Sequence, residues 1–117
     1  MTNGEIWWVD FLESRGSAPA FVRPAVIVQN DALNASDINT TVVVPITTNS
    51  RLADYKGNVF LKKENSRLSK DSVALCAQIT TIDKDCLLEK HSALTHDLLN
   101  EIYSELCWTL NCSAFSA

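Results

Sequence analysis

The chain has 117 residues, of which 46% are apolar and 21% charged, and a net charge of −4. That is one domain's worth of sequence, able to bury roughly two-thirds of its unfolded surface without metal or disulfide staples. The composition excludes a disordered chain and a globally basic nucleic-acid binder, and no apolar run approaches the roughly 18–20 residues that span a bilayer.

Met1 to Glu5 lacks the basic and apolar regions of a signal peptide, so the expected location is the cytoplasm. Ile6 to Phe11 is rich in aromatic and β-branched residues and predicts the first strand. Glu13 to Ala20 holds Gly16, Ser17 and Pro19 and predicts a loop. Pro24 to Gln29 is an apolar run of strand length, and Asn30 to Asn39 is rich in turn formers. Thr40 to Thr47 predicts a third strand, with Pro45 marking a bulge or an edge. Thr48 to Lys56 is polar and loop-like, Asn58 to Lys63 a fourth strand, and Glu64 to Lys70 a turn.

Asp71 to Ala77 and Gln78 to Ile82 predict two strands or one bent strand. Beyond Asp83, Leu98, Ile102, Leu106 and Leu110 recur every four residues and predict an amphipathic helix. Thr95 is its expected N-cap, and Asp97 suits the helix dipole. His91 and His96 fall near the expected start of that helix, in surface or capping positions. The predicted fold is mainly β with a C-terminal helix: a small antiparallel barrel, one domain over residues 1–117.

The four cysteines, Cys76, Cys86, Cys107 and Cys112, lack the paired spacing of a zinc site. On a continuous helix Cys107 and Cys112 point about 140° apart, and all four are expected to pack as reduced, small hydrophobes. No metal or other cofactor is expected.

Charge is unevenly spread. Residues 1–50 carry two basic and five acidic residues; residues 71–117 carry two and seven. Residues 51–70 carry six basic residues, from Arg51 and Lys56 to Lys70, against two acidic ones. This segment follows Thr47 and Thr48 and suits either a solvated hairpin or a polyanion-binding loop. Arg23, ahead of Pro24, offers a planar fork matched to two phosphate oxygens. The Thr47 and Thr48 hydroxyls and the Gln78 amide offer further donors.

Five short motifs, in order, resemble the MazF/PemK (Kid-like) toxin ribonucleases. They are Gly4-Glu5-Ile6-Trp7-Trp8-Val9-Asp10, Gly16-Ser17, Arg23-Pro24-Ala25-Val26-Ile27-Val28, Val43-Val44-Pro45-Ile46-Thr47-Thr48, and Asp71-Ser72 through Gln78 to Lys84. The resemblance covers residues 4 to 110. It implies an SH3-like barrel of the plasmid-maintenance toxin type, a homodimer, and metal-independent, sequence-selective cleavage of single-stranded RNA. The implied products are a 2′,3′-cyclic phosphate and a 5′-hydroxyl.

It also implies a cognate antitoxin with a disordered acidic tail. By position it places the catalytic arginine on Arg23 and the catalytic threonine on Thr47. RNA contacts fall on Ser17, Ser72 and Gln78, with Gly16, Asn30, Thr48, Arg51 and Lys56 completing the RNA-facing set. The high pKa of arginine makes any proton-transfer role for Arg23 demanding. Many family members carry Glu after the Gly-Ser pair, where this chain has Ala18. That departure keeps open a non-catalytic alternative: an RNA-binding module, or a gyrase binder like the related CcdB toxins.

Overall fold

The computed structural model describes residues 1–12 and 22–112. Seven strands form one sheet: β1 (Glu5–Asp10), β2 (Val22–Ile27), β3 (Thr40–Thr47), β4 (Asn58–Leu61), β5 (Ser72–Leu75), β6 (Thr80–Asp83) and β7 (Leu87–Ala93). Single-turn helices α1 (Asp31–Asn34) and α2 (Lys63–Ser66) follow β2 and β4, and α3 (His96–Thr109) closes the chain. The order is β4-β5-β3-β2-β1-β7, every pairing is antiparallel, and β6 also pairs with β3.

β3 organises the sheet. Along one edge it pairs with β2 through Val43–Pro45. Along the other it pairs first with β6, through Thr40–Val43, and then with β5, through Ile46 and Thr47. Pro45 lies where β6 has ended and β5 has not begun, so its missing N–H costs no hydrogen bond on that edge. The short 3₁₀ turn Cys76–Gln78 fills the gap and separates β5 from β6, so of the two readings of this stretch the structure has two strands. β3 is therefore central, with an interrupted ladder at its proline, and is not an edge strand. Among the described residues no pairing joins β4 to β7, so the sheet is open and "barrel" fits it only loosely.

Both faces of the central strands are covered. Ile6, Val26, Val44, Ile46, Val59, Leu61 and Ala74 pack on one face against Ile102 and Leu106 of α3. Val9, Ala25, Ile27, Val43, Ile82 and Cys86 pack on the other. Neighbouring residues of β2 and β3 alternate between the two clusters, as the two-residue repeat of a strand requires. Each fully buried Ile, Leu or Val adds about 1.5–3 kcal/mol of transfer free energy.

Helix α3 has the expected Thr95 cap, which accepts from the Leu98 N–H at 3.4 Å. The region before it departs from expectation. Leu87–Ala93 is a strand, so His91 lies in β7 and not at a helix start. There the ring meets Trp8 edge-on at 6.0 Å, and Nδ1 lies 2.8 Å from the Ser92 hydroxyl. β7 pairs with β1 across two register shifts and buries only Ser92 fully, so its sequence lacks an apolar repeat. Trp108 of α3 is 55% exposed.

Candidate functional site

The register of the central strands brings Arg23 to Thr47. The β2–β3 ladder pairs Ile27 with Val43, Val26 with Val44 and Ala25 with Pro45. Two residues further on, Arg23 falls level with Thr47. The alternation that turns Val9, Ala25, Ile27 and Val43 to one face turns Arg23 and Thr47 to that same face, beyond the end of its apolar cluster. On its other side Arg23 pairs with Val9 of β1, and Thr47 pairs with Val73 of β5. Both side chains are half-buried. By that continued register a cation and a hydroxyl share one face at the ends of neighbouring strands.

Thr47 also opens a built turn. Its hydroxyl oxygen accepts from the Asn49 N–H at 3.2 Å, which leaves the O–H proton able to donate elsewhere. The Asn49 side chain accepts from the Arg51 N–H at 3.3 Å and caps the 3₁₀ turn Ser50–Asp54. Asn58 Nδ2 ties that turn to the sheet through the Leu52 carbonyl at 2.9 Å. Asn49 was not among the sequence candidates; the Thr-Thr-Asn-Ser run, rich in side-chain-capped turn formers, is the signal for it. Thr48 and Arg51 lie exposed on this turn, beside Thr47. Gln78 is exposed at the end of the Cys76–Gln78 turn, across β3 from β2.

Other expected contacts lie elsewhere. Ser72 is 1% exposed, and its hydroxyl donates to the Lys70 carbonyl at 2.9 Å. It is the first residue of β5, and its hydroxyl is engaged within the chain. Asn30 stands at the opposite end of β2, roughly 20 Å from Arg23 at strand rise, where it caps α1 through the Ala32 N–H. Lys56 is exposed but engaged: it pairs with Glu105 at 3.1 Å and lies 5.0 Å from the centre of the Trp108 ring. Gly16 and Ser17, with Ala18, lie outside the described residues.

The basic segment is not one uniform surface. Lys62 shares an open cleft of about 530 Å³ with Phe60, Asn65 and two acidic residues, Glu64 and Asp71. Asp71 is partly occupied, accepting from the Lys63 N–H at 2.9 Å. Arg51 stands apart from this mixed cleft, on the turn next to Thr47. Among the described residues no group of three or more His, Cys, Asp or Glu is placed to hold a metal ion. No described helix is long and apolar enough to cross a membrane.

The far end of the same strands is polar but closed. Asn34, buried at the end of α1, donates to the Gln29 carbonyl at 2.9 Å and to Asp31 Oδ1 at 3.0 Å. Its own Oδ1 accepts from Gln29 Nε2 and Thr41 Oγ1, each at 2.9 Å. Glu5, at the start of β1, lies at this end too. Burial pushes its carboxyl up, but hydrogen bonds from Trp7 and Thr2 and the Lys90 ion pair at 2.9 Å outweigh that and hold it at about 2.

Fold and site together define an antiparallel β protein with an arginine and a threonine hydroxyl on one face at the ends of neighbouring strands. Comparison with known proteins gives this class a family. A family model described as PemK-like, MazF-like toxin of type II toxin–antitoxin system matches residues 2–110, and the chain belongs to that family.

Endoribonuclease MazF2 of Mycobacterium bovis is 36% identical over 102 residues, 87% of this chain and 90% of that protein. MazF from Deinococcus radiodurans superposes with a TM-score of 0.74 at 22% identity, over 93% of this chain and 94% of that one. A mycobacterial endoribonuclease solved in complex with its cognate antitoxin gives 0.74 at 25% identity, over 93% of each chain.

Proposed function

We propose that this chain is the RNA-cleaving toxin of a type II toxin–antitoxin pair, a single cytoplasmic domain over residues 1–117 that works as a homodimer. It is an endoribonuclease of the MazF kind, and it cuts single-stranded RNA at a short sequence without a cofactor. The observation that carries the reading is the β2–β3 register, which, continued two residues past Ala25 and Pro45, brings Arg23 level with Thr47 on one face.

The chemistry follows from those two groups. The ribose 2′-hydroxyl attacks the adjacent phosphorus, its proton leaves, and the 5′-oxygen departs with a proton. The products are a 2′,3′-cyclic phosphate and a 5′-hydroxyl. Negative charge grows on the two non-bridging oxygens as the fifth bond forms. The Arg23 guanidinium, always charged and forked, binds both oxygens and favours that state over the ground state. The Thr47 hydroxyl, held from below by the Asn49 N–H, directs its proton to the same phosphate.

Arg51 and Thr48 lie where the strand would leave the site, and Gln78 offers its amide to a base. The antitoxin places a disordered acidic segment over the same basic turn and excludes RNA by competition.

The test is cleavage of a long single-stranded RNA in EDTA with the ends mapped. Cleavage leaving 5′-hydroxyl ends in the native chain, and not in Arg23→Ala, supports the reading. A folded native protein that binds this RNA or DNA gyrase and cuts nothing at any concentration sinks it, and leaves Ala18 as the mark of a binding module.

A further inference from the structure

Helix α3 ends in a turn that sequence spacing does not reveal. Thr109 is its last residue; the Leu110 N–H donates to the Leu106 carbonyl at 2.8 Å and the Asn111 N–H to the Trp108 carbonyl at 3.1 Å. Asn111 takes a φ of +60°. This left-handed conformation reverses the chain past a helix end, and Asn tolerates it better than most residues do. In such a reversal the second residue beyond the cap folds back against the third-last residue of the helix. Here those residues are Cys112 and Cys107.

The expected divergence of about 140° holds only for an unbroken helix, and the left-handed residue cancels it. Both thiols are exposed, and the neighbouring Cys112 pushes the Cys107 thiol above its ordinary range, which places the two side chains close together. Cys76 and Cys86 differ: both are buried, and burial pushes the Cys76 thiol up to about 12, which keeps it inert.

We infer that Cys107 and Cys112 form a reversible thiol–disulfide switch at the end of α3, oxidised by a small-molecule disulfide. One cysteine, as thiolate, attacks the small disulfide, and a mixed disulfide forms as one small thiol leaves. The other cysteine, as thiolate, attacks the mixed disulfide and expels the second small thiol. One sulfur–sulfur bond breaks in the reagent and one forms in the protein; the dithiol is oxidised and the reagent reduced to two thiols. A left-handed turn past a helix end folds the second residue beyond the cap back toward the third-last helical residue, the approach that a disulfide between them requires. Oxidation fixes the turn that seats Trp108 over Lys56 and against Gly57, where a Cβ would lie 3.3 Å from the Trp108 Cζ3.

The experiment equilibrates the full chain with graded mixtures of reduced and oxidised glutathione, quenches with acid and digests with trypsin. Lys90 is the last basic residue, so residues 91–117 leave as one peptide carrying both cysteines. That peptide is expected to become two hydrogens lighter, while Cys107→Ser and Cys112→Ser each retain one glutathione. Asn111→Val, which forces a β-branched residue into the left-handed region, should lower the disulfide equilibrium constant roughly tenfold. Asn111→Gly should leave it unchanged. The inference is overturned if the native peptide stays reduced in excess oxidised glutathione, or carries glutathione on both cysteines. It is equally overturned if the peptide links two chains, or if Asn111→Val matches the native protein.

Discussion

The two ends of β2 and β3 treat polar side chains in opposite ways. At one end the Asn34 amide spends all of its hydrogen-bonding capacity, two donors and two acceptor positions, inside the protein. At the other, Thr47 accepts one hydrogen bond from its own turn and keeps its proton for something else. A buried amide left short of partners costs stability, so the closed end is explained by folding alone. The Thr47 hydroxyl, accepting only from its own turn, still has a proton to donate, and that is the end where the proposed site lies.

The sharpest way to break that contrast is to remove the central group at each end. Arg23→Ala should lower the RNA cleavage rate at least about 10³-fold, or roughly 4 kcal/mol of transition-state stabilisation. Its urea midpoint should correspond to a stability loss below about 1 kcal/mol. Asn34→Ala should do the reverse. It leaves the Thr41 hydroxyl without its acceptor and takes one partner each from the Gln29 amide and carbonyl, so chemical denaturation should show a loss of about 2–4 kcal/mol, with cleavage per folded molecule unchanged. If Arg23→Ala unfolds the protein, or Asn34→Ala abolishes cleavage while folded, the division of labour is wrong.

Thr47 gives the next largest effect. Thr47→Ala should cost about 10- to 100-fold in cleavage rate, the scale of one hydrogen bond made in the transition state. Thr47→Ser restores the hydroxyl and should recover most of that loss. Equal losses in Ala and Ser would mean that the methyl group, not the proton, matters.

What the sequence made legible follows the same physics. β2 and β3 were readable because both faces are covered, which writes a continuous apolar run into Pro24–Gln29 and Thr40–Thr47. Helix α3 was readable because one stripe is buried, at Ile102 and Leu106. β7 was not, because an edge strand with Glu89 and Lys90 in it carries no apolar period. Arg23 and Thr47 were each identified through the family resemblance, but their adjacency is a matter of register, which no local pattern encodes. The placement of Ser72 and Asn30 is equally invisible to local pattern: one lies buried at a strand end, the other caps α1 at the far end of β2. The inferred Cys107–Cys112 pairing depends on the left-handed turn at Asn111, which a helical wheel cannot represent.

A smaller effect checks the closed end by pH. The Glu5 carboxyl sits at about 2 when folded, below its ordinary value of 4.5. A lowered folded value means the unfolded chain takes up the proton first. The stabilisation is therefore complete above about pH 4.5 and disappears as pH falls toward 2. Glu5→Gln should cost about 1–2 kcal/mol at neutral pH and almost nothing near pH 2. Unfolding curves of the two proteins that stay parallel across that range would show that Glu5 is not held by its Trp7, Thr2 and Lys90 contacts.

The smallest effect asks whether engagement within the protein also removes a cation from RNA binding. Arg51 and Lys56 are both exposed and five residues apart, but Lys56 already holds Glu105 and the face of Trp108. An exposed ion pair contributes only about 0–1 kcal/mol, so Lys56→Ala should barely move stability. Binding to a phosphate would require Lys56 to leave Glu105, whose carboxylate then sits uncompensated near the RNA. Arg51→Ala should lower the salt dependence of RNA affinity by about one unit of slope, and Lys56→Ala by clearly less. Equal slopes for the two variants would mean that the Glu105 pair opens freely, and that engagement is a guide to function only where the contacts are buried, as at Asn34.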